Sequence, residues 1–190
     1  MLSKKDIPEI IKTAAVLFAI TAISAGILAA VNAKTAPIIE KNEAAKQEQA
    51  MKIVLPKADG FESDNLAVDS PDKSITAVYK STNDAGYVIL ASPNGYGGAI
   101  SIAVGVSADG KVSGVSVISQ SETAGLGAKC VEDSFLSQYV GKTENITVSK
   151  GTAKDNQINA ISSATITSKA VTSGVNAAID AAKKAEEASK

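Results

Sequence analysis

The feature that most constrains this chain is an uncharged, strongly apolar run over residues 13–33, bounded by Lys12 and Lys34. As an α-helix the run would measure roughly 31 Å, which is close to the thickness of the hydrocarbon core of a bilayer. It predicts a single transmembrane helix at 13–33, preceded by a cytoplasmic N-terminal segment at 1–12. A cleaved signal peptide is the alternative, because residues 31–33 fit the small-residue cleavage pattern.

The lysines that flank the run give only a slight indication of its orientation. They are Lys4, Lys5 and Lys12 before the run and Lys34, Lys41 and Lys46 after it. With the amino group added, the balance favours a cytoplasmic N-terminus. Within the run, Ala22, Gly26 and Ala30 form a stripe of small residues where another transmembrane helix could approach closely. Ordinary alanine-rich composition explains that stripe equally well.

The polar residues after the run predict a connecting segment. Pro37 opens a stretch rich in Glu, Lys, Gln and Ala, which is typical of a solvated helix ending at Pro56. A turn is predicted at 57–60. We therefore expect residues 34–60 to connect the membrane helix to a domain at 61–190.

Short strands are predicted within that domain, at 75–79, 87–90, 100–106, 115–118 and 146–148. Residues 100–106 alternate between apolar and polar or small side chains, and Asp109 followed by Gly110 is a strong hairpin signal. The two flanking strands should therefore pair antiparallel, with one apolar face that needs cover. We predict an α+β fold, in which helices pack on an antiparallel sheet.

A helix after Ser168 is the natural candidate to cover that face. Val171, Val175 and Ile179 recur at helical spacing there. The segment just before it, residues 162–168, reads Ser-Ser-Ala-Thr-Ile-Thr-Ser. Hydroxyls at a helix start could cap the helix, with Thr167 or Ser168 as N-cap. They could also form a phosphate site with the free backbone N–H groups of the first turn.

Several chemistries are excluded by residues that the sequence lacks. The chain has no His and a single Cys, Cys130, so it cannot build a Ser-His-Asp triad or, by itself, a cysteine-ligated iron–sulfur cluster. Its 19 basic and 20 acidic residues, with 4% aromatics, do not predict nucleic-acid binding. Any redox chemistry would need an organic cofactor. Cys130 itself is expected to be a small buried apolar residue; half of a site shared with a partner is the alternative.

Two loops between the predicted strands could contact such a cofactor. The first, residues 94–98, reads Asn-Gly-Tyr-Gly-Gly, and the second, residues 122–127, reads Glu-Thr-Ala-Gly-Leu-Gly. Glycines let a ligand approach the backbone, and the carboxylate, hydroxyl and leucine of the second loop could bind the edge and face of a planar ligand. An ordinary glycine turn and a helix-initiating turn are the alternatives.

Taken in order, these three segments resemble a known family, the FMN-binding G subunits of Rnf complexes, and its relative, the C subunits of sodium-pumping NADH:quinone reductases. The family's Ser-Gly-Ala-Thr-x-Thr-Ser stands here at 162–168, and its Glu-Thr-Pro-Gly-Leu-Gly stands at 122–127. The glycine–aromatic loop and the N-terminal anchor also match. Two positions depart from the pattern: Ser163 replaces a glycine and Ala124 replaces a proline.

The resemblance implies that FMN is attached covalently to Thr167 by a phosphoester bond made by a flavin transferase, which uses FAD and Mg²⁺. It implies a cofactor site with no metal ligand and no catalytic residue, on the outer side of the cytoplasmic membrane. The residues it assigns to FMN, besides Thr167, are Thr165, Ser162, Ala164, Glu122, Thr123, Leu126, Gly125, Tyr96, Gly97 and Lys150.

The function implied is that of an electron carrier in a membrane-bound, ion-translocating ferredoxin:NAD⁺ oxidoreductase, with iron–sulfur and flavin subunits as partners. A component of the quinone-reductase relative, or another flavinylated respiratory protein, is the first alternative. A membrane-anchored binding domain without a cofactor is the second. An independent enzyme is not predicted, because no acid–base or nucleophile–base constellation is visible.

Overall fold

The structure is a computed structural model that describes residues 7–64 and 73–188. Within these residues the helices are α1 (Ile7–Val54), α2 (Asp133–Leu136) and α3 (Thr165–Ala188), with 3₁₀ turns at Gly127–Val131 and Ser137–Tyr139. The strands are β1 (Phe61–Ser63), β2 (Ile75–Ser81), β3 (Gly86–Ala91), β4 (Ser101–Ser107), β5 (Val112–Ser119), β6 (Thr147–Ser149) and β7 (Gln157–Asn159).

The chain divides into two compact units, residues 1–45 and residues 46–190. Most of the first unit is the long N-terminal part of α1, a helix of 48 residues. Among the described residues, α1 is the one helix long and apolar enough to cross a membrane. Part of the predicted N-terminal segment, residues 1–6 with Lys4 and Lys5, lies outside the described residues.

Helix α1 runs through Pro37 without a break, so the predicted membrane helix and the predicted polar helix are one element. Proline has no N–H and cannot donate to the carbonyl of the residue four positions before it. The helix therefore lacks one internal hydrogen bond at this point but retains its helical path. It ends at Val54, shortly before Pro56, close to the predicted end.

The second unit is built on a five-stranded antiparallel sheet in the sequential order β1-β2-β3-β4-β5. The predicted pairing of β4 with β5 is confirmed, with Val104 opposite Val115. Their connection is the predicted turn, in which Gly110 has a positive φ of 76°. Glycine suits this turn because a side chain at such a φ is strained.

The two faces of the sheet are covered by different helices of the same unit. Helix α3 packs on the face that carries Ile89, Ile102 and Val104, as predicted for a helix in this region. On the other face, Met51 and Val54 from the last turns of α1 pack in a second apolar cluster. Ser113 Oγ donates a hydrogen bond of 2.6 Å to the carbonyl of Val54, which fixes the end of α1 on the sheet.

The predictions missed the shortest elements. Strand β1 and the parallel pair β6 and β7 span three residues each, and only β6 matches a predicted strand. Helix α3 begins at Thr165, four residues before the predicted start directly after Ser168. Thr167 and Ser168 therefore lie inside its first turn, and the prediction that either is its N-cap is wrong. Their hydroxyls have other partners, described below.

Candidate functional site

The three segments singled out in the sequence meet at one cavity of about 520 Å³. This is within the range of about 300–1,000 Å³ that is usual for small-molecule sites. Its walls come from the loop after β3, the loop after β5 and the start of α3. The lining residues are Tyr96, Glu122, Thr123, Leu126, Gly127, Ser163, Ala164, Thr165, Ile166 and Thr167.

Glu122 joins the three segments through its two carboxylate oxygens. Thr167 Oγ1 donates a hydrogen bond of 2.5 Å to Oε2, and the backbone N–H of Gly97 donates one of 2.8 Å to Oε1. Glu122 is 8% exposed and Thr167 is 1% exposed. Buried polar groups of this kind are costly unless they are paired, so the two hydrogen bonds hold the glycine–tyrosine loop, the Glu122 loop and α3 together.

Gly127 provides the space for this pair. A Cβ atom at position 127 would lie 2.6 Å from Glu122 Oε2 and 2.7 Å from Thr167 Oγ1. Both distances are shorter than any ordinary contact of a side chain. A side chain at Gly95 would likewise collide with the Glu122 carboxylate. The glycines of both loops therefore let the carboxylate and the hydroxyl approach each other.

The start of α3 is held by hydroxyls from inside the helix rather than by an N-cap side chain. Ser168 Oγ donates to the Ala164 carbonyl at 2.9 Å and accepts from the Ile161 N–H at 2.9 Å. The Ser168 N–H makes a helical bond to the Ala164 carbonyl. Amides in the first turn before it have no partner within the helix, and no acidic residue lies in that turn.

A further buried hydrogen-bond chain supports this turn. Thr172 Oγ1 donates to the Ser168 carbonyl at 2.8 Å, so the Tyr139 hydroxyl, 2.8 Å from Thr172 Oγ1, is the donor of their shared bond. Burial raises the pKa of Tyr139, which keeps its phenol protonated as that donor. These contacts fix the helix turn that carries Thr167.

Ser163 has a positive φ of 62°, in the left-handed region. It is the position where the sequence departs from the glycine of the resembling family. Left-handed geometry costs an L-residue roughly 1–2 kcal/mol, and the turn into α3 retains it nonetheless. The serine is accommodated in the cavity wall with its backbone in the conformation that a glycine would adopt more easily.

Cys130 is fully buried at the end of the 3₁₀ turn that follows the Glu122 loop. Its predicted burial is confirmed. Burial, with a smaller effect of the Glu122 charge, raises the pKa of the thiol to about 11. The thiol is therefore protonated at neutral pH. Among the described residues, no group of three or more His, Cys, Asp or Glu side chains could hold a metal ion.

Not every residue assigned by resemblance lines the cavity. Gly97 does not line the cavity; its N–H donates a hydrogen bond to the lining residue Glu122. Ser162 lines a neighbouring surface groove with Lys129, and Lys150 is exposed after β6. Gly125 is an exposed turn residue with a φ of 77°.

The structure adds three residues that were not assigned to the site from the sequence. They are Ile166, Gly127 and Ser163, all of which line the cavity. All three lie within the motifs quoted above, so their position in a motif was the only available signal. Ile166 is 56% exposed, and Tyr96 and Leu126, which line the same cavity, are 72% and 42% exposed.

Two protein families match separate parts of the chain. The family described as the FMN-binding domain matches residues 95–180, which include residues 95–98 of the first glycine loop, the whole second loop and most of α3. The family described as the RnfG N-terminal region matches residues 1–54, which end where α1 ends.

Curated relatives are similar over most of the chain. The G subunit of the Na⁺-translocating ferredoxin:NAD⁺ oxidoreductase complex of Acetobacterium woodii is 37% identical and covers 92% of each chain. The proton-translocating counterpart of Clostridium ljungdahlii is 39% identical and covers 83% of each. The G subunit of the ion-translocating oxidoreductase complex of Methanosarcina acetivorans is 33% identical over 92% of this chain and 95% of its own length.

A solved structure shares the fold. The C subunit of the Na⁺-translocating NADH-quinone reductase from Parabacteroides distasonis aligns with a TM-score of 0.58 at 16% identity, covering 77% of this chain and 94% of its own. At this identity the likeness concerns the fold alone. The relatives that match along nearly the whole length, together with the two family matches, establish that the chain belongs to the G-subunit family of ion-translocating oxidoreductase (Rnf) complexes and carries an FMN-binding domain.

Proposed function

We propose that this chain is the electron-carrying G subunit of a membrane-bound, ion-translocating ferredoxin:NAD⁺ oxidoreductase, and that FMN is attached to Thr167 by a phosphoester bond. The observation that carries the proposal is the position of Thr167. Its hydroxyl lies in the first turn of α3, on the wall of a cavity that the two glycine loops complete. The relatives' names support the complex.

The residues present fit the phosphate end of FMN. The first turn of α3 offers backbone N–H groups and the positive end of a 24-residue helix, which favour an anion without a basic side chain. The side chain of Thr165 lines the same wall and would donate to phosphate oxygens. The absence of an acidic residue in this turn also favours a phosphate.

The rim of the cavity fits the other end of the cofactor. Tyr96, Leu126 and Ile166 are exposed there and provide apolar surface for a flavin ring. Thr123 provides a polar side chain at the cavity wall for the ribityl chain or the edge of the ring. FMN supplies the redox chemistry when bound, and the protein positions it and connects it to partner subunits.

The membrane arrangement is part of the same proposal. Residues 13–33 cross the cytoplasmic membrane as part of α1, with residues 1–12 inside, residues 34–60 as the connection and residues 61–190 as the FMN domain outside. The exposed apolar side chains of α1, including Phe18 at 74% and Leu28 at 69%, support the span. Iron–sulfur and flavin subunits are the expected electron partners, and a flavin transferase the maturation partner.

The test compares variants expressed with an active flavin transferase. The wild-type chain should gain the mass of one FMN minus water and keep flavin fluorescence after denaturing electrophoresis. Thr167→Ala should lose both. It removes one hydrogen bond to Glu122, at a cost of about 1.5–3 kcal/mol, so the domain should remain folded, which circular dichroism checks. Ser173→Ala, which removes an exposed hydroxyl from the same helix outside the cavity, is the matched control, and it should retain covalent flavin. Flavin that persists in Thr167→Ala, or a wild-type chain without flavin, would contradict the proposal.

A further inference from the structure

We propose that Glu122 is the proton acceptor for the Thr167 hydroxyl when the phosphoester bond is formed. This role differs from the flavin contact that resemblance assigns to Glu122. It rests on the proposed attachment of FMN to Thr167. Under this proposal the target domain provides part of the chemistry of its own modification, in addition to what a transferase provides.

The geometry places the base on the reacting atom. Thr167 Oγ1 donates its hydrogen to Glu122 Oε2 at 2.5 Å, a distance typical of a hydroxyl that donates to a carboxylate. The base is thus in direct hydrogen-bond contact with the proton that it would take. Because the hydrogen is directed at the carboxylate, the lone pairs of Oγ1 remain for bond formation. A threonine hydroxyl is a weak nucleophile, and an adjacent base is the usual means of activating one.

The carboxylate is also held in place for this task. Its second oxygen accepts the Gly97 N–H at 2.8 Å, so the side chain cannot rotate away from Thr167 without losing a buried hydrogen bond. The space left by Gly127 brings Oε2 and Oγ1 together. No ion pair among the described residues involves Glu122, so none of the described lysines competes with the threonine for the carboxylate.

The chemical step balances with a flavin dinucleotide as the donor. A bond forms between Thr167 Oγ1 and the phosphorus of the FMN half, and the pyrophosphate P–O bond to the nucleotide half breaks. The nucleoside monophosphate leaves with the bonding electron pair, and the hydroxyl proton passes to Glu122 Oε2. Nothing is oxidised or reduced.

The experiment measures attachment kinetics on the full chain, purified in detergent without flavin and mixed with transferase, FAD and Mg²⁺. Initial rates of covalent flavin incorporation are recorded against the concentration of the chain. Glu122→Gln keeps the shape and an acceptor for the Gly97 N–H, but it removes the base. We expect its maximal rate to fall about 10²- to 10⁴-fold, with the half-saturating concentration of the chain unchanged.

Two further variants distinguish a proton acceptor from a residue that only holds the two loops and α3 together. Glu122→Asp retains a carboxylate and should be modified faster than Glu122→Gln, although more slowly than wild type. Glu187→Gln removes an exposed carboxylate from the same helix as Thr167 and should behave as wild type. Thermal unfolding of each unmodified variant, followed by circular dichroism, establishes that the compared chains are folded.

The outcomes distinguish failure of this inference from failure of the proposed function on which it rests. A wild-type maximal rate in Glu122→Gln, or a change confined to the half-saturating concentration, overturns the role of Glu122 and leaves the attachment at Thr167 intact. Equal rates in the Asp and Gln variants overturn it as well. Failure of the wild-type chain to acquire flavin, or attachment at another residue, overturns the proposed function and this inference together.

Discussion

The two long helices of this protein place their apolar residues in opposite ways. In the first, α1, large apolar side chains are exposed along the run that is predicted to cross a membrane; Val16, Phe18 and Leu28 are each more than half exposed. In α3, Val171, Val175 and Ile179 are fully buried against the sheet. The exposed surface of α1 needs an apolar environment that the described residues do not supply.

The difference follows from how the apolar residues are distributed. Between residues 13 and 33 they surround the whole helix, which is typical of a helix in lipid. In α3 they form one stripe, and Lys169, Asp180 and Lys184 lie on the exposed side. The comparison shows that distribution around the helix, rather than apolar content alone, distinguishes a helix that needs a bilayer from one that needs a sheet.

The largest effect expected is on the membrane helix. Replacing Ile20 and Ile23 together by arginine should cost about 5–7 kcal/mol of insertion free energy, at about 2.5–3.5 kcal/mol for each charge near the helix centre. The variant should leave the membrane fraction on alkaline carbonate extraction. Replacing the same two residues by leucine is the control. If the arginine variant stayed in the membrane fraction, the distinction between α1 and α3 would be wrong.

The second effect concerns α3. Ile179→Ala should lower the free energy of unfolding of the FMN domain by about 2–5 kcal/mol, because loss of the fully buried side chain leaves a cavity. The measurement is denaturant unfolding followed by tyrosine emission, since the chain has no Trp. Ile23→Ala in α1 is the matched control, and it should leave this transition unchanged. Equal losses in the two variants would contradict the distinction.

A smaller effect of the opposite sign is expected at the start of α3. Ser163→Gly should raise the free energy of unfolding by about 1 kcal/mol, because glycine adopts the positive φ of 62° without strain. Ser162→Gly is the control at the neighbouring position, where no such strain is present, and it should lower stability slightly. A destabilised Ser163→Gly variant would mean that the serine side chain contributes more than its backbone costs.

The smallest effect expected concerns the Cys130 thiol, which should hardly react with an alkylating reagent in the native protein. The thiol of Cys130 is buried and its pKa is raised to about 11, so native protein at pH 8 should react very slowly with iodoacetamide. The rate should rise when denaturant unfolds the domain or when the pH approaches 11. Mass spectrometry follows the alkylation. Rapid labelling of native protein at pH 8 would show that the 3₁₀ turn around Cys130 opens readily.

Much of the fold was predictable because its signals are local. The alternation in β4, the turn at Asp109 and Gly110, and the helical spacing in α3 each depend on residues close together in the chain. Strands β1 and β7 were not predicted, because three residues with mostly polar side chains carry no periodicity. They pair only because their neighbours are already in place.

The site was predictable in part. The motif residues Tyr96, Glu122 and Thr167 were selected from the sequence by resemblance, and the structure brings them to one cavity. The N-cap prediction for Thr167 was wrong. Capping preference is a local property, whereas the partner of the Thr167 hydroxyl is a carboxylate 45 residues away in the chain.

The sequence by itself determined that an apolar helix precedes an antiparallel sheet covered by an amphipathic helix, since burial of apolar side chains follows from their spacing within a few turns or strands. Only the tertiary structure decided which groups donate hydrogen bonds to Glu122. The Gly97 N–H and the Thr167 hydroxyl meet its two oxygens because sheet and helix packing bring three distant segments together. A hydrogen bond requires heavy atoms within about 3 Å, and no pattern of residue types specifies such a distance across a folded chain.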